Sequence, residues 1–204
     1  MDQTREAGYV CNPSAPFRDV EHALRVAYGH ENMDVCKINS YVREIHGSSV
    51  SLFGPETPND RLAGAAMLRA AVIDHLTAEN ASTIDAHYTV PKGINGEITL
   101  PERRKLDNLK KLATRAHRRY PAPAFAFLCD VTLQWGGYGR RHPDLWWRRK
   151  LGVSFRQIMQ WKNGSGRSSS PGIFPVLNAM LSDALRELEE MLWRTDAIQY
   201  RIYS

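Results

Sequence analysis

Apolar residues recur along most of this chain at three- and four-residue spacing, the period of an amphipathic helix. Phe17, Val20, Leu24 and Ala27 predict a helix over 17–27, ended by Gly29. Val35, Ile38, Tyr41, Val42 and Ile45 predict a second over 34–45, stopped by Gly47. Gly54-Pro55 and Pro58 mark 48–59 as a loop. Behind a capping Asp60, Leu62, Ala66, Leu68 or Arg69, Val72, Ile73 and Leu76 predict a helix over 60–76, and its small residues suit close packing. Residues 82–88 extend that unit as a short helix. The period changes over 89–100, where Val90, Ile94, Ile98 and Leu100 surround Asn95-Gly96, the pair that favours a tight β-hairpin turn.

Pro101 then opens a helix over 102–119 with Leu106, Leu109, Leu112, Ala113 and Ala116 as its buried stripe. Arg103, Arg104, Lys110, Lys111, Arg115, Arg118 and Arg119 cover the rest. The cations at its end complement the helix dipole, but Arg103 and Arg104 in its first turn do not. Residues 124–135 (AFAFLCDVTLQW) are nearly all apolar and read as a buried, central helix, with Cys129 inside. Gly136-Gly-Tyr-Gly139 and Arg140, Arg141 form a loop, either a plain linker or a backbone-following segment. Residues 173–193 form a long amphipathic helix whose exposed face is acidic, with Asp183, Glu187, Glu189 and Glu190. That face is open to packing on the core, to dimerisation or to another protein.

Between these last elements lies 144–163 (DLWWRRKLGVSFRQIMQWKN). Trp147 and Leu151 are four apart and share a helical face. Gly152 ends that helix, because glycine enters the left-handed conformation without steric cost. Ser154 is a good N-cap for a second helix, and Gln157 completes a capping-box pattern. Ile158 and Trp161 point inward and Val153 plugs the corner. Phe155, Arg156, Gln157, Met159, Gln160 and Lys162 are left for the outer face.

The 204 residues carry a net charge of +5, and the distribution of charge says more than the total. Residues 101–167 hold 16 Lys and Arg against 4 Asp and Glu, a net of +12. The remainder holds 11 basic and 18 acidic residues, a net of −7. One third of the chain thus carries the whole positive excess, the footprint expected for a phosphate backbone. Three well-separated cysteines make neither a disulfide framework nor a CxxC pair. No apolar run reaches the length of a membrane span, and the polar N-terminus lacks a signal-peptide core. The expected location is the cytoplasm.

Residues 144–163 resemble the DNA-binding helix-turn-helix. Trp147, Leu151, Gly152, Val153, Ile158 and Trp161 fall at the motif's apolar, turn and core positions. One departure is Arg148, where the motif usually has alanine or glycine to let the helices cross closely. Either the crossing is wider or Arg148 reaches outward. An ordinary helical hairpin in an all-α core also fits the stretch. The wider layout, LRAAVIDHL over 68–76, His87-Tyr88 and a later Gly-Val-Ser turn, is similar to sigma-factor DNA-binding domains and to phage late-gene antitermination proteins of the Q type. The long insertion between the two halves departs from both. That resemblance implies promoter DNA and RNA polymerase or a sigma factor as partners.

Catalytic signatures are missing. The seven histidines are scattered without HExxH or zinc spacing, and the glycine-rich loop lacks the Lys-Ser/Thr of a P-loop. The sequence therefore predicts a mainly α, multi-helix bundle with a C-terminal helix-turn-helix and a short β-hairpin insertion. Its expected organisation is a flexible arm (1–16), a helical core (17–135), and the helix-turn-helix with its C-terminal helix (136–204). The expected function is sequence-specific binding of double-stranded DNA in transcription control, without catalysis or cofactor. Phe155, Arg156, Gln157, Gln160 and Lys162 would face the major groove, with the capping Ser154 also among the DNA-binding residues. Arg140, Arg141, Arg149, Lys150 and Arg167 would hold phosphates. The alternatives are a repressor or recombination accessory protein, an RNA binder using 101–119, and a protein-interaction module; a homo-oligomer is compatible with each.

Overall fold

The computed structural model describes residues 15, 17–29, 58–89, 100–119, 124–138, 142–164 and 171–202. Among them are eight helices: α1 (Val20–Gly29), α2 (Pro58–His75), α3 (Ala78–Tyr88), α4 (Leu100–Arg119), α5 (Phe125–Trp135), α6 (Asp144–Leu151), α7 (Phe155–Asn163) and α8 (Ile173–Arg194). The described residues contain no sheet; their β pairing is an isolated parallel bridge between Phe17 and Ile198. Residues 90–99 of the predicted 89–100 hairpin, the predicted 34–45 helix and nearly all of the 1–16 arm lie outside the described residues. Leu100, assigned above to the hairpin, is the first residue of α4. By their contacts the residues form two compact units, Met1–His75 with Leu185–Ser204, and Leu76–Ala184.

In the first unit, α1 begins three residues later than the period suggests. Asp19 explains the shift: its carboxylate accepts from the His22 N–H at 2.8 Å, which caps a helix starting at Val20. Phe17 is left extended, and its N–H donates to the Ala197 carbonyl at 3.0 Å. Val20, Ala23, Leu24 and Ala27 are buried on one face. Helix α2 starts at Pro58, since proline is tolerated in a first turn that has no use for its N–H. Asp60 therefore lies inside the helix. Ala65, Leu68 and Val72 are buried, whereas Ile73, expected in the stripe, is 63% exposed. In α8, Glu189 was expected on the acidic outer face and is instead fully buried. It is four residues from Leu185, so the helix turns it inward, and its carboxylate accepts from the Ile202 N–H. Arg201 closes the same tail onto Glu190 at 2.7 Å.

The second unit holds one apolar core. Ala86 of α3, Leu109, Leu112 and Ala116 of α4, Phe127, Leu128 and Val131 of α5, Trp147 of α6, Ile158 of α7, and Ile173, Leu177 and Met180 of α8 form it together. Helix α3 starts four residues before the predicted short helix, because the Thr77 side chain accepts from the Asn80 N–H and caps it there. Helix α5, expected to be buried, gives Phe127, Leu128 and Val131 to this core, but Phe125 at its start is 41% exposed and Cys129 is only partly buried. Gly136 packs where a Cβ would come within 2.6 Å of Leu109, so the first glycine of the 136–139 loop has a packing role.

Candidate nucleic-acid interface

The α6–α7 pair begins with the chain leaving α5. Its turn has the predicted geometry. Gly152 is left-handed (φ 67°), and the Val153 N–H returns to the Arg148 carbonyl at 3.2 Å. The Ser154 hydroxyl accepts from the Gln157 N–H at 3.2 Å, which starts α7 at Phe155. Ile158 is fully buried, and Val153, Leu151 and Trp161 pack against the core. Arg148 is exposed, so it stands outside the crossing and not in it.

Trp147 and Trp161 weld this pair to the unit, and Lys162 braces it internally. The Trp147 indole N–H donates to the buried Asp130 carboxylate at 2.6 Å. Its ring and that of Trp161 meet Phe127 edge-on, at centroid distances of 5.5 and 5.9 Å. Lys162 bonds Asp144 at 3.4 Å, tying the end of α7 to the start of α6. A residue so bonded cannot face a groove: Lys162 is 3% exposed, with its ammonium 5.7 Å from the Phe174 ring. This corrects its place on the outer face. The signal was present in the sequence, because Lys162 follows Ile158 by four residues and shares its inward face.

The other predicted site residues divide as follows. Phe155, Arg156 and Gln157 are exposed on the first turn of α7, and Gln160 is half-buried behind them. The Ser154 hydroxyl oxygen is engaged in the cap. Arg149 is exposed near the end of α6. Lys150, beside it, is also exposed, but its ammonium lies over the Trp146 ring at 4.6 Å. His142 stacks on that same ring at 3.8 Å and 13°. Both groups thus engage one ring, which keeps about a third of its surface exposed (37%). Arg140, Arg141 and Arg167 lie outside the described residues. The segment carrying Arg167 leaves and re-enters at two glycines in backbone contact: a Cβ on Gly172 would lie 2.1 Å from the Gly164 nitrogen.

The cations of this surface are not equivalent in origin. Arg148, Arg149 and Lys150 occupy the last turn of α6, where the helix dipole favours positive charge. Arg156 occupies the first turn of α7, where the dipole opposes it. Helix stability therefore gives no reason for Arg156.

The basic helix α4 presents a contrast. Arg115 is turned inward, donating to the Glu79 carbonyl (2.9 Å), Ser82 Oγ (3.0 Å) and Thr83 Oγ1 (3.1 Å) of α3. Lys105 is fully buried, and its ammonium donates to the Thr89 carbonyl. Burial lowers its pKa from 10.5 to about 8, with the Asp85 carboxylate opposing the shift. Arg115 is thus not on the outer face expected for it, and Lys105, four residues before Leu109, shares that residue's inward phase.

A cleft of about 250 Å³ lies between α5 and α6, lined by Cys129, Asp130, His142, Trp146 and Lys150 among others. Among the described residues no group of three or more His, Cys, Asp or Glu could hold a metal ion, and no helix is long and apolar enough to cross a membrane. In comparisons with protein-family models, curated proteins and solved structures, the chain matches none.

Proposed function

We propose that the α6–α7 pair is a DNA-binding helix-turn-helix and that the protein is a sequence-specific DNA-binding transcription regulator. The observation that carries this reading is the first turn of α7. Phe155, Arg156 and Gln157 are exposed there, on a capped helix whose opposite face is fixed in the core by Ile158 and Trp161. The first turn of the second helix is where this motif meets base edges. Arg and Gln match guanine and adenine edges respectively. Arg149, with Arg140, Arg141 and Arg167, would supply phosphate contacts, and Lys150 adds charge from its place on Trp146. The unit that carries the pair, residues 76–184, holds 17 Lys and Arg against 8 Asp and Glu, whereas the rest of the chain holds 10 against 14. The similarity in layout to Q-type antitermination proteins narrows the proposal to a factor acting at promoter DNA with RNA polymerase.

Electrophoretic shifts at several salt concentrations test the reading. Arg156→Ala should cost about 1–3 kcal/mol on the preferred site and relax preference at one position. Arg149→Ala should weaken all duplexes alike and lower the salt slope by about 1. If neither variant changes duplex affinity, α7 is not the reading helix.

A further inference from the structure

We propose that Phe155 reads the 5-methyl group of a thymine in the major groove and so fixes one position of the DNA site. This rests on the DNA-binding reading of α7 and names the chemistry of one contact within it.

Phe155 is the first residue of α7 and is 54% exposed. A single exposed aromatic is ordinary on a protein surface; the position of this one and its neighbours give it meaning. The other large rings of the pair are engaged. Trp147 is bonded to Asp130 and packed on Phe127, and Trp161 is packed on the same phenyl ring. Trp146 stacks on His142 and has the Lys150 ammonium over its ring. Among the described residues, no aromatic ring or ammonium group pairs with the ring of Phe155 in this way.

Its sequence neighbours decide what can cover it. Arg156 and Gln157 are exposed beside it, and Arg148 and Arg149 end the preceding helix. An apolar protein surface placed over Phe155 would have to desolvate Arg156 without neutralising it, which is costly. A nucleic-acid duplex neutralises the cations with phosphates. Within its major groove it presents one apolar group, the thymine methyl, against which a phenyl ring packs. Stacking on single-stranded bases fits less well, because such sites use successive aromatic platforms. Trp146, the other exposed ring of the pair, is already stacked on His142 and carries the Lys150 ammonium over its ring.

The test begins by selecting the preferred site of the full-length protein from a random duplex library. Each thymine of that site is then replaced in turn by deoxyuridine, which removes only the methyl. The expected result is one position at which wild type loses about three- to fivefold in affinity, as burial of a single methyl implies. Phe155→Ala should bind the parent site more weakly by at least that factor, should be indifferent to deoxyuridine at that position, and should keep the wild-type salt slope. Circular dichroism confirms that the variant folds, which its exposed position favours. The proposal is overturned if wild type binds its site and no deoxyuridine weakens it, or if Phe155→Ala stays as sensitive to the methyl as wild type. A protein that selects no duplex at all overturns the DNA-binding reading, and this contact with it.

Discussion

Helix α4 and the α6–α7 pair are both dense in Lys and Arg, but their cations have different company. In α4, Arg115 holds α3 through three hydrogen bonds and Lys105 is buried against the Thr89 carbonyl. Its exposed cations, Arg103, Arg104, Lys110, Lys111, Arg118 and Arg119, stand without an exposed aromatic or Gln among them. In the pair, Lys162 alone is turned inward, and the exposed Arg156 sits between Phe155 and Gln157. Charge by itself attracts a phosphate backbone without regard to sequence, whereas discrimination needs groups that match base edges. Both stretches have the first property. Only the pair sets an exposed Arg beside an exposed Gln and an exposed aromatic on a first helical turn, which is why the proposal is placed there and not on the longer, more basic helix.

Three outcomes would break or sharpen this comparison. The largest concerns the anchoring of the pair. Trp147→Ala should cost about 3–5 kcal/mol of stability in urea unfolding, since it opens a core cavity and leaves Asp130 without its indole donor. A loss below 1 kcal/mol would mean that the pair is not welded to α5 as described.

The second concerns Lys105. Its ammonium keeps its proton to about pH 10.5 in the unfolded chain but only to about pH 8 in the folded one. Between those values the unfolded chain binds more protons, so stability contributed by this site rises with pH. The rise amounts to about 3 kcal/mol across the window. Lys105→Met should lack it, so the difference in stability between variant and wild type should change by that amount between pH 7.5 and pH 10.5. A difference that stays flat would place Lys105 in contact with water.

The smallest effect separates the two regions directly. Arg115→Ala should lower stability by about 1.5–3 kcal/mol, the range for hydrogen bonds made by a charged group. It should leave the salt dependence of duplex binding unchanged, the reverse of Arg149→Ala. If Arg115→Ala flattens the salt slope instead, α4 belongs to the binding surface.

Much of the local structure was legible because it depends on neighbours in sequence. The Gly152 turn, the Ser154 cap and the bounds of α8 follow from rules that reach no further than one helical turn. The start of α1 at Val20 has a local part, the Asp19 cap, and a distant part, the bridge that holds Phe17 extended against Ile198. Lys105, Lys162 and Glu189 form the most instructive group. Each lies four residues from a buried apolar residue, at Leu109, Ile158 and Leu185, so each stands on the inward phase of its helix. Charge made Glu189 and Lys162 read as outward residues, and Lys105 was passed over. The period pointed inward for all three.

The sequence by itself determined that the described residues are mainly helical, the inward phase of most of those helices, and the concentration of positive charge in one third of the chain. These depend on spacing and composition, which need no partner. Tertiary structure alone decided which charges on that phase are buried, because burial of an ion requires a partner brought from elsewhere. Thr89 supplies it for Lys105, Asp144 for Lys162, and the Ile202 amide with Arg201 for Glu189. The same placement left Phe155, Arg156 and Gln157 in solvent together, on a helix whose other face is held by the core.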